Sequence, residues 1–168
     1  KIYPVNPKGG IIEGLQAYTS VLEVPGEVDL AIIVVNAKFV LSTIDQCHEK
    51  GIKGLCIITA GFKETGKEGA EVEKQLVEKI KEYGMRCVGP NCLGVVNTHP
   101  DVRMDGCFAE SLPERGNIGF VSQSGALGGG ILNILKDLNL GFAQFISIGN
   151  QADVNAETAL EYWENDED

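Results

Sequence analysis

The stretch Gly119–Gly130, GFVSQSGALGGG, changes its period in the middle. Its first residues continue the apolar run of NIGFVS and read as a buried strand. Ser-Gln-Ser-Gly then turns the chain. Leu127, Ile131, Ile134, Leu135 and Leu138 follow at helical spacing. A strand that passes through a Ser/Gly turn into a helix is half of a βα unit. Its turn serine has two chemical readings. A nucleophile elbow needs G-x-S-x-G with a histidine and an acid downstream. Here Ser122 stands where that glycine should be, and both histidines, His48 and His99, lie upstream. The alternative is a phosphate seat, with two hydroxyls, free backbone N–H groups and the positive end of a helix dipole. The residues favour the seat, and N-capping by Ser124 can accompany it.

Working outward, the same alternation recurs. KIYPV at the start reads as a short strand. DLAIIVV (29–35) is a continuous β-branched run, as in a strand covered on both faces. Val40, Leu41, Ile44 and Cys47 carry a helical period. GLCIITA (54–60) is the next strand, and Ala70, Val72, Leu76, Ile80 and Tyr83 mark a charged amphipathic helix that Gly84 ends. MRCVG (85–89) is another strand. This order predicts an α/β fold with a parallel, doubly wound sheet. From Pro90 to Gly116 the periodicity stops, which predicts a functional loop followed by a linker and a boundary near Leu112. After it come the opening strand and helix, a strand in GFAQFISIG (141–149) and a helix over 155–164.

With 168 residues and 43% hydrophobic content, the chain can bury a sizeable core. A net charge of −10 argues against nucleic acid, which needs a basic footprint. No apolar run approaches membrane-spanning length. Cys47, Cys56, Cys87, Cys92 and Cys107 show no C-x-x-C spacing, as expected of reduced thiols in a cytoplasm, and no metal-ligand pattern is present.

Open parallel sheets bind ligands beyond the carboxyl ends of their strands. The turns expected there are NPKGG (6–10), NAKF (36–39), TAGFKE (59–64), GPNCLG (89–94), SQSGA (122–126) and GNQAD (149–153). Their Gly, Asn, Ser and Lys content suggests one crevice for a phosphorylated ligand. Lys8 reads equally as a phosphate contact or a solvated side chain. Cys92 has no activating base nearby in sequence, so ligand contact by Asn91 or the Cys92 backbone is favoured over nucleophilic catalysis. His48 and His99 read as structural or solvated.

In this order and spacing, NPKGG, TAGFKE, GPNCLG and SQSGAL resemble the α part of the NDP-forming acyl-CoA synthetases, in particular the archaeal-type ADP-forming acetate–CoA ligases and, more distantly, the succinyl-CoA synthetase α subunit. The resemblance covers essentially the whole chain. It implies a Rossmann-like CoA-binding domain over residues 1–112, lacking its first βα unit, and the beginning of a flavodoxin-like domain over 113–168. It implies the reversible reaction of acyl-CoA, ADP and phosphate to acid, CoA and ATP, through an acyl phosphate and a phosphohistidine. Lys8 and the Val35, Asn36 and Phe39 turn would line the CoA site. Thr59, Ala60 and Gly61 would follow the pantetheine arm, with Asn91 and Cys92 near its thiol. Ser122, Ser124 and Gly125 would seat the phosphate, joined by Gly149, Asn150 and Asp153. No catalytic residue is expected in this segment, because the phosphohistidine would lie beyond Asp168. ADP or ATP with Mg would sit on an ATP-grasp domain or β subunit, and a small carboxylic acid would be the other substrate.

Two alternatives share the fold. A CoA-binding regulatory module would lack the downstream histidine or the ATP-grasp partner. A nicotinamide oxidoreductase would need G-x-G-x-x-G and an acidic residue after the second strand, where Asn36 stands.

Overall fold

The computed structural model describes residues 1–110 and 114–166. The chain opens with a short antiparallel ribbon, β1 (Ile11–Ile12) and β2 (Leu15–Gln16). Strand β3 (Leu30–Ile33), helix α1 (Ala37–Lys50), β4 (Gly54–Ile57), α2 (Lys67–Glu82) and β5 (Arg86–Val88) follow. The three strands form a parallel sheet in the order β3-β4-β5. Helix connections are what parallel neighbours require. Ile33, Val40, Ile44, Leu55, Ile57, Phe62, Leu76 and Ile80 form one core cluster, which explains the apolar strand runs and helix stripes. Gly84 stands just past the C-cap Tyr83 at φ 60°, the left-handed position expected for it.

The remaining strands are β6 (Gly94–Asn97), β7 (Met104–Cys107), β8 (Arg115–Ser122) and β9 (Phe142–Ser147), with α3 (Gly125–Asp137) between the last two and α4 (Ala156–Trp163) at the end. They form a second, mixed sheet in the order β7-β6-β9-β8. Only β8 and β9 are parallel; β6 runs antiparallel to both β7 and β9.

Four sequence expectations change. KIYPV is not a ladder strand: Val5 makes a single bridge to Tyr18, and Pro4 and Pro7 each lack the N–H a ladder needs. The segment 90–116 is not a linker, because β6 and β7 form a hairpin inside it. They escaped notice because four-residue strands joined without a helix leave little periodicity. The strand-end turns do not share one sheet edge, since the strands they follow belong to separate sheets. Within the described residues the parallel strands keep their sequence order, so the reversal of a doubly wound sheet is not seen. The expected boundary at Leu112 lies outside the described residues.

Candidate functional site

The turn SQSGA (122–126) is a strand end and a helix start. Ser124 caps α3: its Oγ accepts from Leu127 N at 3.2 Å. The buried Ser122 hydroxyl donates to Ser124 O at 2.9 Å, so it shapes the turn from inside. The first N–H groups of α3, on Gly125 and Ala126, have no partner one turn back. Two glycines of GALGGG also acquire a reason. Helix interiors disfavour glycine by about 1 kcal/mol each, yet a Cβ on Gly128 would stand 2.9 Å from the Phe145 ring and one on Gly125 3.3 Å from Leu93. Close packing of α3 accounts for Gly128 and, less tightly, for Gly125, whereas Gly129 and Gly130 have room for a Cβ.

An open cavity of about 590 Å³ lies against this helix start. Its walls bring Asn91 and Cys92 to Ser124 and Gly125, two groups far apart in sequence. Gln123 and the Phe108–Glu110 end of the hairpin complete the lining. Sequence alone does not point to these, because the hairpin lies where the periodicity predicts a linker and Gln123 lacks a motif of its own. Paired short strands around the turn residues THPD were the available signal.

The opposite wall is held rigidly. Asn91 sits at φ 57° after the cis Gly89–Pro90 bond. The Gly149 turn zips onto it, with Asn150 N donating to Pro90 O at 2.8 Å and Ala152 N to Gly89 O at 3.0 Å. Leu93 N donates to Ser147 Oγ at 2.9 Å and Gln123 Nε2 to Gly149 O at 3.3 Å. Gly149, at φ 52°, has no room for a Cβ, which would stand 2.4 Å from Pro90 O.

Asn150 is buried and fully engaged. Its Nδ2 donates to Glu64 Oε2 at 2.6 Å and Glu73 Oε2 at 2.8 Å, and its Oδ1 accepts from Asn91 Nδ2 at 3.3 Å. Lys63 Nζ pairs with buried Glu73 at 3.1 Å and also donates to Asn150 O. Glu64 additionally accepts from Gly61 N at 2.5 Å and Phe62 N at 3.1 Å. Burial pushes the Glu64 carboxyl up, but these bonds, led by that from Asn150, more than offset it and hold it below its ordinary value. The Asn150 side chain thus acts as a strut between the two halves of the chain. Asp153 is likewise engaged, accepting from Cys87 N at 2.8 Å and Arg86 Nε at 2.9 Å.

The other expected residues gather elsewhere. Asn36 caps α1 through Lys38 N at 3.3 Å and is exposed, as are Val35 and Phe39. Thr59 Oγ1 donates to Val35 O at 2.7 Å, tying the ends of β3 and β4, and Asn91 N donates to Thr59 O at 3.0 Å. Exposed Ala60 continues this turn, and Gly61 closes over Ala37, where a Cβ would come within 3.0 Å. Lys8 is exposed in the N-terminal turn, its N–H bonded to Asn6 Oδ1 at 3.0 Å, and does not line the cavity. His48 stacks on Tyr83 at 3.9 Å, and His99 Nδ1 accepts from Asp101 N at 3.3 Å. Among the described residues no helix is long and apolar enough to cross a membrane, and no cluster of three metal-ligating side chains occurs.

Parallel strands with helix crossovers, and turns that converge on a helix start, define an open α/β protein of the class that takes ligands at its strand ends. The chain belongs to the CoA-binding domain family: residues 1–98 match its family model, and residues 115–168 match the succinyl-CoA ligase like flavodoxin domain. It is 52% identical over 162 residues to the α subunit of acetate–CoA ligase [ADP-forming] II from Pyrococcus furiosus, covering 96% of this chain and 35% of that one. Acetate–CoA ligase [ADP-forming] from Methanocaldococcus jannaschii is 46% identical over 168 residues, covering 100% of this chain and 23% of its own length. The solved dinucleotide forming acetyl-coenzyme A synthetase 1 of Ca. Korarchaeum cryptofilum, in complex with phosphate and ADP, superposes with a TM-score of 0.92 at 38% identity, covering 98% of this chain and 35% of that one. The chain therefore spans about a quarter to a third of these relatives.

Proposed function

We propose that this chain is the CoA-binding and phosphate-seating part of an ADP-forming acyl-CoA ligase of the acetate–CoA type, acting in the cytoplasm with an ATP-grasp domain or β subunit. One observation carries the reading: a single cavity joins the Asn91–Cys92 wall to the Ser124–Gly125 helix start. The likeness to ligases and to a synthetase solved with phosphate and ADP supports it. The free cysteines support a reducing compartment.

The residues fit the ligands in kind. The open Gly125 and Ala126 N–H groups and the Ser124 hydroxyl, at the positive end of α3, suit a transferring phosphate. Fixed dipoles stabilise its developing charge without reorganising. Exposed Phe39 and Val35 give the Asn36 turn an apolar surface for the adenine of CoA, which would supply the thiol that accepts the acyl group. Thr59, Ala60 and Gly61 would then guide its arm toward Asn91 and Cys92. With its side chain engaged, Asn150 serves the seat by holding Asn91, and Gly149 by close packing. Lys8 would reach the CoA phosphates from its turn. The reading places the phosphohistidine after Asp168 and nucleotide with Mg on the partner.

Calorimetric titration of CoA into the protein in its full polypeptide context, with NAD as control, tests this. Saturable CoA binding with NAD silent is expected. Absence of CoA binding would remove the synthetase reading.

A further inference from the structure

Cys56 and Cys92 are 36 residues apart in sequence, yet their Sγ atoms lie 3.8 Å apart. Cys56 is fully buried in the central strand β4, and Cys92 is buried in the turn that lines the cavity. Their surroundings, Val95 with Leu30, Ile58, Val88, Met104 and Ile146, are apolar. Of the two sulfurs, Cys92 borders the cavity and its S–H donates to Ile57 O at 3.3 Å, which leaves the Cys56 S–H to point at the Cys92 sulfur. That bond, with help from Gly94 N–H, lowers the Cys92 pKa against its burial, while the Cys56 pKa is raised. Cys92 is placed to react first and Cys56 to respond.

The other thiols are placed differently. In the β4–β5 register Cys87 pairs with Leu55 and packs in its cluster, so it faces the opposite side of the sheet from Cys56. Cys47 is buried in α1, its pKa pushed up to about 11 by burial. Cys107 is the most exposed of the five.

We infer that Cys56 and Cys92 are a built-in cross-linking site, converted by a peroxide-class oxidant entering through the cavity into a reversible disulfide. The Cys92 thiolate attacks the peroxide O–O bond, giving a sulfenic acid and one water after proton transfer. The Cys56 sulfur then displaces the sulfenic oxygen as a second water. Two thiols and one peroxide become one disulfide and two waters, so atoms and electrons balance. The sulfurs must close from 3.8 Å to about 2.05 Å.

The test is limited hydrogen peroxide treatment of the protein in its full polypeptide context, followed by denaturing alkylation and peptide mapping. The expected result is a mass loss of two hydrogen atoms, a cross-linked Cys56–Cys92 peptide, Cys47, Cys87 and Cys107 still alkylated, and full reversal by dithiothreitol. Cys56→Ala should instead trap Cys92 as a sulfenic acid captured by dimedone. Mapping of the unmodified protein keeps the test valid if that variant folds poorly. Oxidation of Cys107 ahead of the pair, a disulfide joining other cysteines, or no reaction at Cys92 would each overturn the inference. None of these readouts depends on CoA binding.

Discussion

Replacing Asn150 with alanine removes the amide that spans three neighbours, and the structure sets the size of the effect. The bond to Glu73 Oε2, at 2.8 Å, joins two buried groups, with Glu73 6% and Asn150 7% exposed. A hydrogen bond to a charged group is worth about 1.5–3 kcal/mol. The 2.6 Å bond to Glu64 counts for less, because water can replace it at that exposed side chain. Glu73 keeps Lys63, through Nζ at 3.1 Å and N at 3.2 Å, so it is not left unpaired. The expected loss is about 3 kcal/mol. For a chain of this size that is roughly a 6–12 °C fall in Tm. Asn150→Asp should be worse at neutral pH, since it sets a third carboxylate against Glu64 and Glu73 and removes both donors. Protonation relieves that repulsion, so the deficit of Asp relative to Ala should shrink between about pH 8 and about pH 5. Urea denaturation of both variants across that range measures it. An aspartate variant as stable as the alanine variant at neutral pH, or a deficit that grows on acidification, would refute the strut.

Two further outcomes follow from the same geometry. Ser124→Ala should cost about 1 kcal/mol of stability and Ser124→Gly only a few tenths, because glycine is tolerated at an N-cap. On the proposed function, both should slow phosphate transfer in the full polypeptide equally while leaving CoA affinity nearly unchanged; wild-type transfer by the glycine variant would remove the hydroxyl from the proposed seat. For Glu64, whose folded pKa lies below its ordinary 4.5, the stabilisation is complete above pH 4.5 and is lost as pH falls through the folded value. Thermal melts of the wild type should therefore decline through that acidic window more steeply than those of Glu64→Gln, and parallel profiles would contradict the assignment.

Elements with strong periodicity are legible in the sequence. The β-branched run ending at Val35 contains β3, the stripes through Ile44 and Leu76 are α1 and α2, and Ser124 opens α3. Local physics decides these: side-chain period, capping and left-handed glycine are properties of a few neighbouring residues. GPNCLG and SQSGAL are legible in the same way as turns at strand ends, and both contribute residues to the cavity wall.

The tertiary structure decided what depends on partners distant in the chain. KIYPV has strand-like composition but no ladder partner. The hairpin β6–β7 gains its place by pairing with β9, roughly half a sheet that no local pattern encodes. Asn150 has the residue type of a ligand contact, and only its proximity to Glu64, Glu73 and Asn91 makes it a strut. The pairing of Cys56 with Cys92 is equally invisible in sequence, where neither spacing nor motif links them. Sequence alone determined the strongly periodic strands and helices and the turns that join them, because those choices are made within a turn or two of the backbone. Which turns meet, and which of their polar groups remain open to a ligand, was settled by packing two sheets together and burying charge only where a partner waits.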